Sequence, residues 1–158
     1  MTAESTTDPI RISLEVRCPA AHAFKVWVEK TALWWPDASA TSGEKDIEVV
    51  FEQRLGGRVF ERTRTGAEFD WGEINVWEPP RRLGYLWWIM TDRENATEVE
   101  ITFNDRGSTT QVEIEHRGWE RLGTFGLEWR QANHAGWDGV LPLFVEACQS
   151  DDPRLRDA

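Results

Sequence analysis

The sequence has few of the residues that cross-link small proteins or bind metals. It holds two cysteines and three histidines in 158 residues. Cys18 and Cys148 lie near opposite ends of the chain, in neither a metal-ligand nor a redox spacing, so we expect two buried free thiols. His22, His116 and His134 have no carboxylate at ligand spacing. The sequence therefore predicts no metal site.

Three further absences narrow the function. The chain has no nucleophile elbow, phosphate-binding loop or dinucleotide fingerprint, so we predict no catalytic residue and no cofactor. Its 18 Lys and Arg face 28 Asp and Glu, and a net charge of −10 disfavours nucleic acid and anionic membranes as partners. No apolar run approaches the ~20 residues of a membrane span, and the opening MTAESTTDP does not resemble a signal peptide. We expect a cytoplasmic protein with no membrane insertion.

Tryptophan, by contrast, is abundant. Ten tryptophans stand beside a single tyrosine and are spread along the whole chain. Either the core is rich in indoles or a cavity is lined with them. The length indicates one domain, large enough to fold without disulfides or a structural metal. We predict a disordered N-terminus over 1–9, one domain over 10–149 and a C-terminal tail over 150–158.

The hydrophobic pattern predicts a mostly β-structure followed by a long helix. Alternation predicts strands at 10–17, 46–54, 58–64, 68–78 and 82–90, and then a hairpin from Glu98 to His116. Two short helices follow the first strand, and apolar residues at three- and four-residue steps predict a helix over 129–148, kinked at Pro142. The order indicates an α+β fold. A curved antiparallel sheet of six to seven strands holds the long C-terminal helix across its concave face, with a cavity between them.

Four sequence pieces resemble a known family. They are Leu55-Gly56-Gly57-Arg58, Gly72-Glu73-Ile74 continuing to Trp77-Glu78-Pro79-Pro80, the pair of segments from Thr97 to Trp119, and His134-x-Gly136-Trp137-x-x-Val140-Leu141. Over residues 10 to 148 the chain is similar to the activator of heat-shock-protein-90 ATPase homologue family. That family belongs to the START-like superfamily, which also holds polyketide cyclases, lipid-transfer domains and the birch-pollen allergen. The resemblance implies a helix-grip fold that encloses a small apolar ligand. The family's chaperone-stimulating members depend on a separate N-terminal domain, so we do not expect a chaperone partner.

A candidate pocket follows from the inward positions of these elements. We expect a small hydrophobic or aromatic ligand to contact some of ten residues, although the same residues could simply pack against one another. The set is Trp35, Phe51, Phe60, Trp71, Tyr85, Trp87, His116, Trp137, Leu141 and Phe144.

Several assignments stay open at this point. His116 ends an inward strand face and is either a hydrogen-bonded core group or a general base. The alternating Arg58, Arg62 and Arg64 either face the cavity, where one could hold a carboxylate, or form a solvated outer face. Three functions are consistent with this pattern: ligand binding, a cyclase, dehydratase or hydrolase using the same cavity, and a co-chaperone-like module. Trp88 and Met90 point away from the proposed cavity, which is compatible with a homodimer.

Overall fold

The computed structural model describes residues 7–156. The predicted disordered segment 1–9 therefore lies mostly outside the described residues, and so does the end of the tail. The described chain forms seven strands: β1 (Ile10–Val16), β2 (Glu48–Phe51), β3 (Arg58–Arg62), β4 (Glu68–Glu78), β5 (Arg82–Trp87), β6 (Thr97–Asp105) and β7 (Thr110–Arg117). It also forms three α-helices: α1 (Ala20–Glu29), α2 (Thr31–Trp34) and α3 (Gly126–Cys148).

All seven strands belong to one antiparallel sheet. Its order is β1-β7-β6-β5-β4-β3-β2, so every neighbour is a sequential hairpin except the pairing of β1 with β7. That pairing places Ile10 opposite His116 and Val16 opposite Thr110. Helix α3 packs against α1, α2 and β1 and covers the inner face of the sheet. The predicted architecture, a curved antiparallel sheet with short helices after the first strand and a long terminal helix, is confirmed.

Side chains along β6 and β7 alternate between a buried apolar face of the sheet and an outer charged face. Val99, Ile101 and Phe103 are buried, while the side chains between them face outward. On the outer face Glu100 accepts hydrogen bonds from Arg82 at 2.6 Å and Arg117 at 3.1 Å, which links three neighbouring strands. Acidic side chains such as Glu100 are therefore paired with arginines across the outer surface of the sheet.

Two irregularities in β4 change which side chains face inward. The register shifts between Val59 and Phe60 and again between Ile74 and Val76, which leaves Trp71 and Asn75 as the extra residues of two bulges. Simple alternation along 68–78, as predicted, therefore does not hold: Trp71 and Ile74 are both fully buried although they are three residues apart.

The strand predicted over 82–90 ends three residues early, at Trp87. The Trp88 N–H bonds back to the Trp71 carbonyl at 2.7 Å, and Met90 adopts a left-handed φ of 64°. Trp88 is buried beside the Arg93 guanidinium, which lies 5.4 Å from the indole centroid. Met90 is half exposed. The two residues therefore do not form a joint exposed patch.

No helix within residues 7–156 is both long enough and apolar enough to span a membrane.

Candidate functional site: a tryptophan-lined pocket

A pocket of about 260 Å³ opens between the first half of α3 and the end of β5. Four tryptophans, Trp35, Trp87, Trp129 and Trp137, are among its twelve lining residues. The remaining lining comes from three places: Ala38 and Ser39 after α2, Ile89 and Met90 after β5, and Ala132, Asn133, Gly136 and Val140 on α3. The volume is slightly below the roughly 300–1,000 Å³ of pockets that hold drug-sized ligands, which favours a smaller ligand.

Helix α3 supplies half of the lining through one stripe. Trp129, Ala132, Asn133, Gly136, Trp137 and Val140 recur at steps of three and four residues, so they share one helix face. Gly136 leaves open space within this stripe, because a Cβ atom built there meets no other atom within 4 Å. The pocket therefore depends on a small residue at position 136.

Three of the indoles in the pocket lining pack against one another. The rings of Trp87 and Trp137 lie 6.5 Å apart with planes at 24°, and Trp35 meets Trp87 edge-on at 5.8 Å. The Trp35 indole N–H donates to the Ser39 carbonyl at 3.1 Å, and that of Trp137 donates to His116 Nδ1 at 3.0 Å. Because both donors are engaged inside the protein, these two residues offer flat apolar surface to a ligand.

His116 lies behind Trp137 and is fully buried. Its Nδ1 accepts from the Trp137 indole, so Nε2 carries the proton and donates to Thr97 Oγ1 at 2.6 Å. The Thr97 hydroxyl in turn donates to the Trp87 carbonyl at 3.4 Å. Burial lowers the pKa of His116 to about 3, which keeps the imidazole neutral. Both ring nitrogens are engaged, so the structure supports the core-group interpretation of His116.

A buried carboxylate, Glu61, fastens the segment that follows α2. It accepts hydrogen bonds from the backbone N–H groups of Thr41 at 2.6 Å and Ser42 at 3.1 Å, and from the Trp71 indole at 2.7 Å. Burial raises the pKa of Glu61, but the bonds from Ser42, Trp71 and Thr41 outweigh it, and the net pKa is lowered. Glu61 thus stays charged and holds the chain that follows Trp35 and Ser39.

The structure brings three of the ten predicted residues to the pocket: Trp35, Trp87 and Trp137. Six others are buried around them in the core, namely Phe51, Trp71, Tyr85, His116, Leu141 and Phe144. They support the pocket from behind: the Trp71 ring, for example, lies 5.1 Å from that of Trp35.

Phe60 lies elsewhere, on the outer face of the sheet. The guanidinium groups of Arg58 and Arg62 stand 4.0 and 5.3 Å from its ring centroid. Arg58 also pairs with Asp70 at 2.7 Å, and Arg62 pairs with Glu68 at 3.0 Å. The open question about these arginines is thus answered in favour of the solvated outer face.

Sequence reasoning missed several residues of the site. Trp129 and Asn133 belong to the helical stripe that includes Trp137, and a full extension of that stripe would have found them. Glu61 lies on the same strand face as Val59 and Thr63, which are two positions away on either side and buried, and this spacing is the signal of an inward-facing charge. Within the described part of the chain, no group of three metal-ligating side chains converges.

Several solved structures of other proteins have a fold similar to that of this chain. Protein MLL2253 from Mesorhizobium loti is 15% identical with a TM-score of 0.67, covering 91% of this chain and 98% of that one. CalC from Micromonospora echinospora, described as a self-sacrificing resistance protein, is 26% identical with a TM-score of 0.63, covering 90% and 92%. Txn09, described as an anthrahydroquino-gamma-pyrone synthase, is 28% identical with a TM-score of 0.53, covering 87% and 85%. No curated protein sequence matches the chain significantly.

The family assignment rests on a match along most of the chain. The family model for the activator of Hsp90 ATPase homolog 1-like protein matches residues 17–147, which run from just before α1 into the last turn of α3. The structural neighbours carry the same START-like fold. The chain therefore belongs to the activator of Hsp90 ATPase homolog 1-like protein family.

Proposed function

We propose that the pocket between α3 and the sheet binds a small, planar, largely apolar ligand. One observation carries this proposal: four tryptophans, of which Trp35 and Trp137 each pack against Trp87, together line an open volume of about 260 Å³. A planar ring system would gain by stacking on these indoles, because aromatic pairs contribute about 0.5–1.5 kcal/mol beyond their buried area.

The polar groups of the pocket favour a neutral ligand. The described lining contains no ionisable side chain, and its polar side chains are those of Ser39 and Asn133 together with the indoles. Asn133 Nδ2 donates to the Trp129 carbonyl at 3.0 Å, and its Oδ1 can accept a hydrogen bond from a ligand. A planar ring that carries a phenol-type hydroxyl meets both requirements, because the uncharged ring can stack on the indoles and the hydroxyl can donate a hydrogen bond to Asn133 Oδ1.

The names of two relatives are consistent with such a ligand. Txn09 is described as a synthase of an anthrahydroquino-gamma-pyrone, a product whose name denotes fused rings, and CalC as a self-sacrificing resistance protein. Both are above 25% identical to this chain. Reaction on a bound ring system remains the alternative, but it needs an acid or base at the ligand, and His116 is engaged at both nitrogens behind the wall.

Glycine positions on α3 allow a matched test of the pocket. In Gly136→Leu the new side chain enters the open space of the lining, whereas in Gly139→Leu an equally unhindered side chain lies outside it. We expect 1-naphthol to quench tryptophan fluorescence in the wild type and in Gly139→Leu. Gly136→Leu should bind at least about tenfold more weakly, a difference of ~1.4 kcal/mol.

Calorimetric titration of the wild type and both glycine variants with 1-naphthol, 1,8-dihydroxyanthraquinone and dodecanoate tests the ligand class. Stronger binding of the flat rings than of the flexible chain supports stacking on the indoles. Equal affinity of the two glycine variants for every probe would contradict the proposed location. Lack of binding by all three probes would contradict the function itself.

A further inference from the structure

The two cysteines, 130 positions apart in sequence, meet in the fold. Cys18 lies in the short connection between β1 and α1, and Cys148 is the last residue of α3. Both residues line the same surface pocket, and a side-chain hydrogen bond between them shifts the pKa of each thiol. Both residues are buried, with 6% and 3% of their surface exposed. This contact lies at the far end of α3 from the tryptophan-lined pocket and plays no part in the proposed ligand binding.

Hydrogen bonds on both sides fix the backbone around this thiol pair. The Arg17 N–H donates to Gln149 Oε1 at 3.0 Å, so the residues adjoining the two cysteines are joined directly. The Thr110 hydroxyl donates to the Cys18 carbonyl at 2.8 Å, which anchors Cys18 to the first residue of β7. The fold therefore holds the two cysteines next to each other.

Both cysteines border a pocket at the protein surface. Cys18 and Cys148 line one surface pocket with Arg17, His22 and Arg156. Arg17 and Arg156 bring positive charge to this lining, although Asp151, also in the lining, pairs with Arg156 at 3.0 Å and offsets part of that charge. A small, uncharged oxidant such as hydrogen peroxide fits an entrance of this kind.

The two sulfur atoms are not equivalent. The hydrogen bond from Cys148 lowers the pKa of Cys18, against an opposing effect of burial, and the same contact together with burial raises the pKa of Cys148. Cys148 also stands at the carboxyl end of a long helix, where the helix dipole disfavours a negative charge. Cys18 is thus the sulfur that loses its proton first, and Cys148 is its neutral donor.

We propose that Cys18 and Cys148 form a peroxide-sensitive site that closes to an intramolecular disulfide. The Cys18 thiolate attacks one oxygen of hydrogen peroxide, the O–O bond breaks, and Cys18 becomes a sulfenic acid while the second oxygen leaves as hydroxide and takes up a proton to form water. The Cys148 sulfur then attacks the Cys18 sulfur, its proton goes to the departing hydroxyl, and a second water is released. Two thiols are oxidised by two electrons, and one peroxide is reduced to two waters.

The disulfide would tie the end of α3 to the start of α1. It would close a loop of about 130 residues, and a loop of that length strongly restricts the unfolded chain. For a protein of this size we expect the melting temperature to rise by roughly 5–10 °C, with full reversal by dithiothreitol.

The test treats the folded wild-type protein with hydrogen peroxide, blocks free thiols with iodoacetamide after denaturation, and maps peptides without reduction. The expected result is one cross-linked peptide containing Cys18 and Cys148, with about 2 Da less than the sum of the reduced peptides. Recovery of both cysteines as alkylated thiols, as separate sulfinic acids or in disulfides between two chains would overturn the proposal.

Two single variants test the order of the steps. Cys148→Ser leaves the Cys18 sulfenic acid without its resolving thiol, so peroxide together with dimedone should yield an adduct at Cys18. Cys18→Ser should give no adduct at Cys148 under the same treatment. Circular dichroism of both variants checks that they are folded, and equal labelling of the two remaining cysteines would contradict the assignment of Cys18 as the attacking sulfur.

Discussion

At the scale of single residues, the site depends on two buried polar side chains that never reach the ligand volume. His116 bridges Trp137 on α3 and Thr97 on β6, and Glu61 holds the backbone at Thr41 and Ser42. Neither residue has a buried partner of opposite charge among these contacts. Each depends on hydrogen bonds to neutral groups, so the protonation state of each is coupled to stability.

The neutral state of His116 predicts a stability that falls with acid. Its pKa is about 3 in the folded protein against an ordinary 6.5, so the unfolded chain binds the additional proton between these values. The contribution is fully present above pH 6.5 and is lost progressively below it, by about 2 kcal/mol at pH 5. Urea unfolding at pH 7 and pH 5 measures the loss. His116→Gln, although less stable at pH 7, should show a shallower dependence, and parallel curves would contradict the assignment.

Glu61→Gln should destabilise the protein by about 2–3 kcal/mol, because an amide nitrogen would face N–H donors that now share a carboxylate. The matched control is Glu113→Gln on the exposed face of β7, which should change stability by no more than about 0.5 kcal/mol. Since the folded pKa of Glu61 is lowered, its contribution is present above the ordinary glutamate pKa and is lost as pH falls below it. Chemical denaturation at pH 7 and pH 4 measures both effects, and equal losses in the two variants would contradict the role of Glu61.

At the scale of elements, the sheet and α3 use glycine in opposite ways. Gly72 on β4 lies so close to β5 that an added Cβ would meet the Leu86 carbonyl oxygen at 2.0 Å. A Cβ atom added at Gly139 on α3 would meet no other atom within 4 Å. Close packing of two strands explains the first glycine, whereas the second only weakens its helix.

Replacing each of these two glycines by alanine should change the free energy of unfolding in opposite directions. Gly72→Ala should cost about 2–4 kcal/mol, since the backbone of β5 must move, whereas Gly139→Ala should stabilise the protein by about 0.5–1 kcal/mol through helix propensity. Thermal unfolding of both variants, with far-ultraviolet circular dichroism as a check on folding, measures the difference. Near-equal melting temperatures would contradict the close strand approach at Gly72.

Element type and order could be predicted from sequence because they follow from local periodicity. The alternation along β6 and β7 and the helical stripe on α3 can be identified from the amino-acid sequence alone. The inward face of β4 cannot be identified in this way, because the bulges at Trp71 and Asn75 arise from pairing with neighbouring strands. The same limit explains Phe60: alternation identifies two faces of β3 but does not say which one α3 covers. Contact between Cys18 and Cys148 is a property of the closed fold and has no local signal.

At the scale of the whole molecule, the chain end contributes to the core. Leu155 is buried in the segment predicted as a tail and packs near Trp34, Leu143 and Ala147. Cross-strand ion pairs such as Arg82 with Glu100 lie on the opposite side, on the outer face of the sheet. The long helix is thus held between the sheet and the last turns of the chain.

Leu155→Ala should lower the free energy of unfolding by about 1–3 kcal/mol through lost burial and a remaining void. Arg154→Ala is the control: its pair with Asp152 is exposed, and we expect a change within about 0.5 kcal/mol. Urea denaturation of both variants provides the comparison. If Leu155→Ala matched its control, the terminal segment would not belong to the cooperative unit.

The hydrogen-bonded chain through His116 also has an evolutionary consequence. The imidazole serves two partners from different elements, Trp137 and Thr97, and loss of any one member leaves a buried polar group without its partner. A lineage could replace the histidine by an apolar residue only by also exchanging the tryptophan and the threonine. Positions 97, 116 and 137 should therefore be inherited together, and relatives that lack the histidine should show a different wall in the pocket.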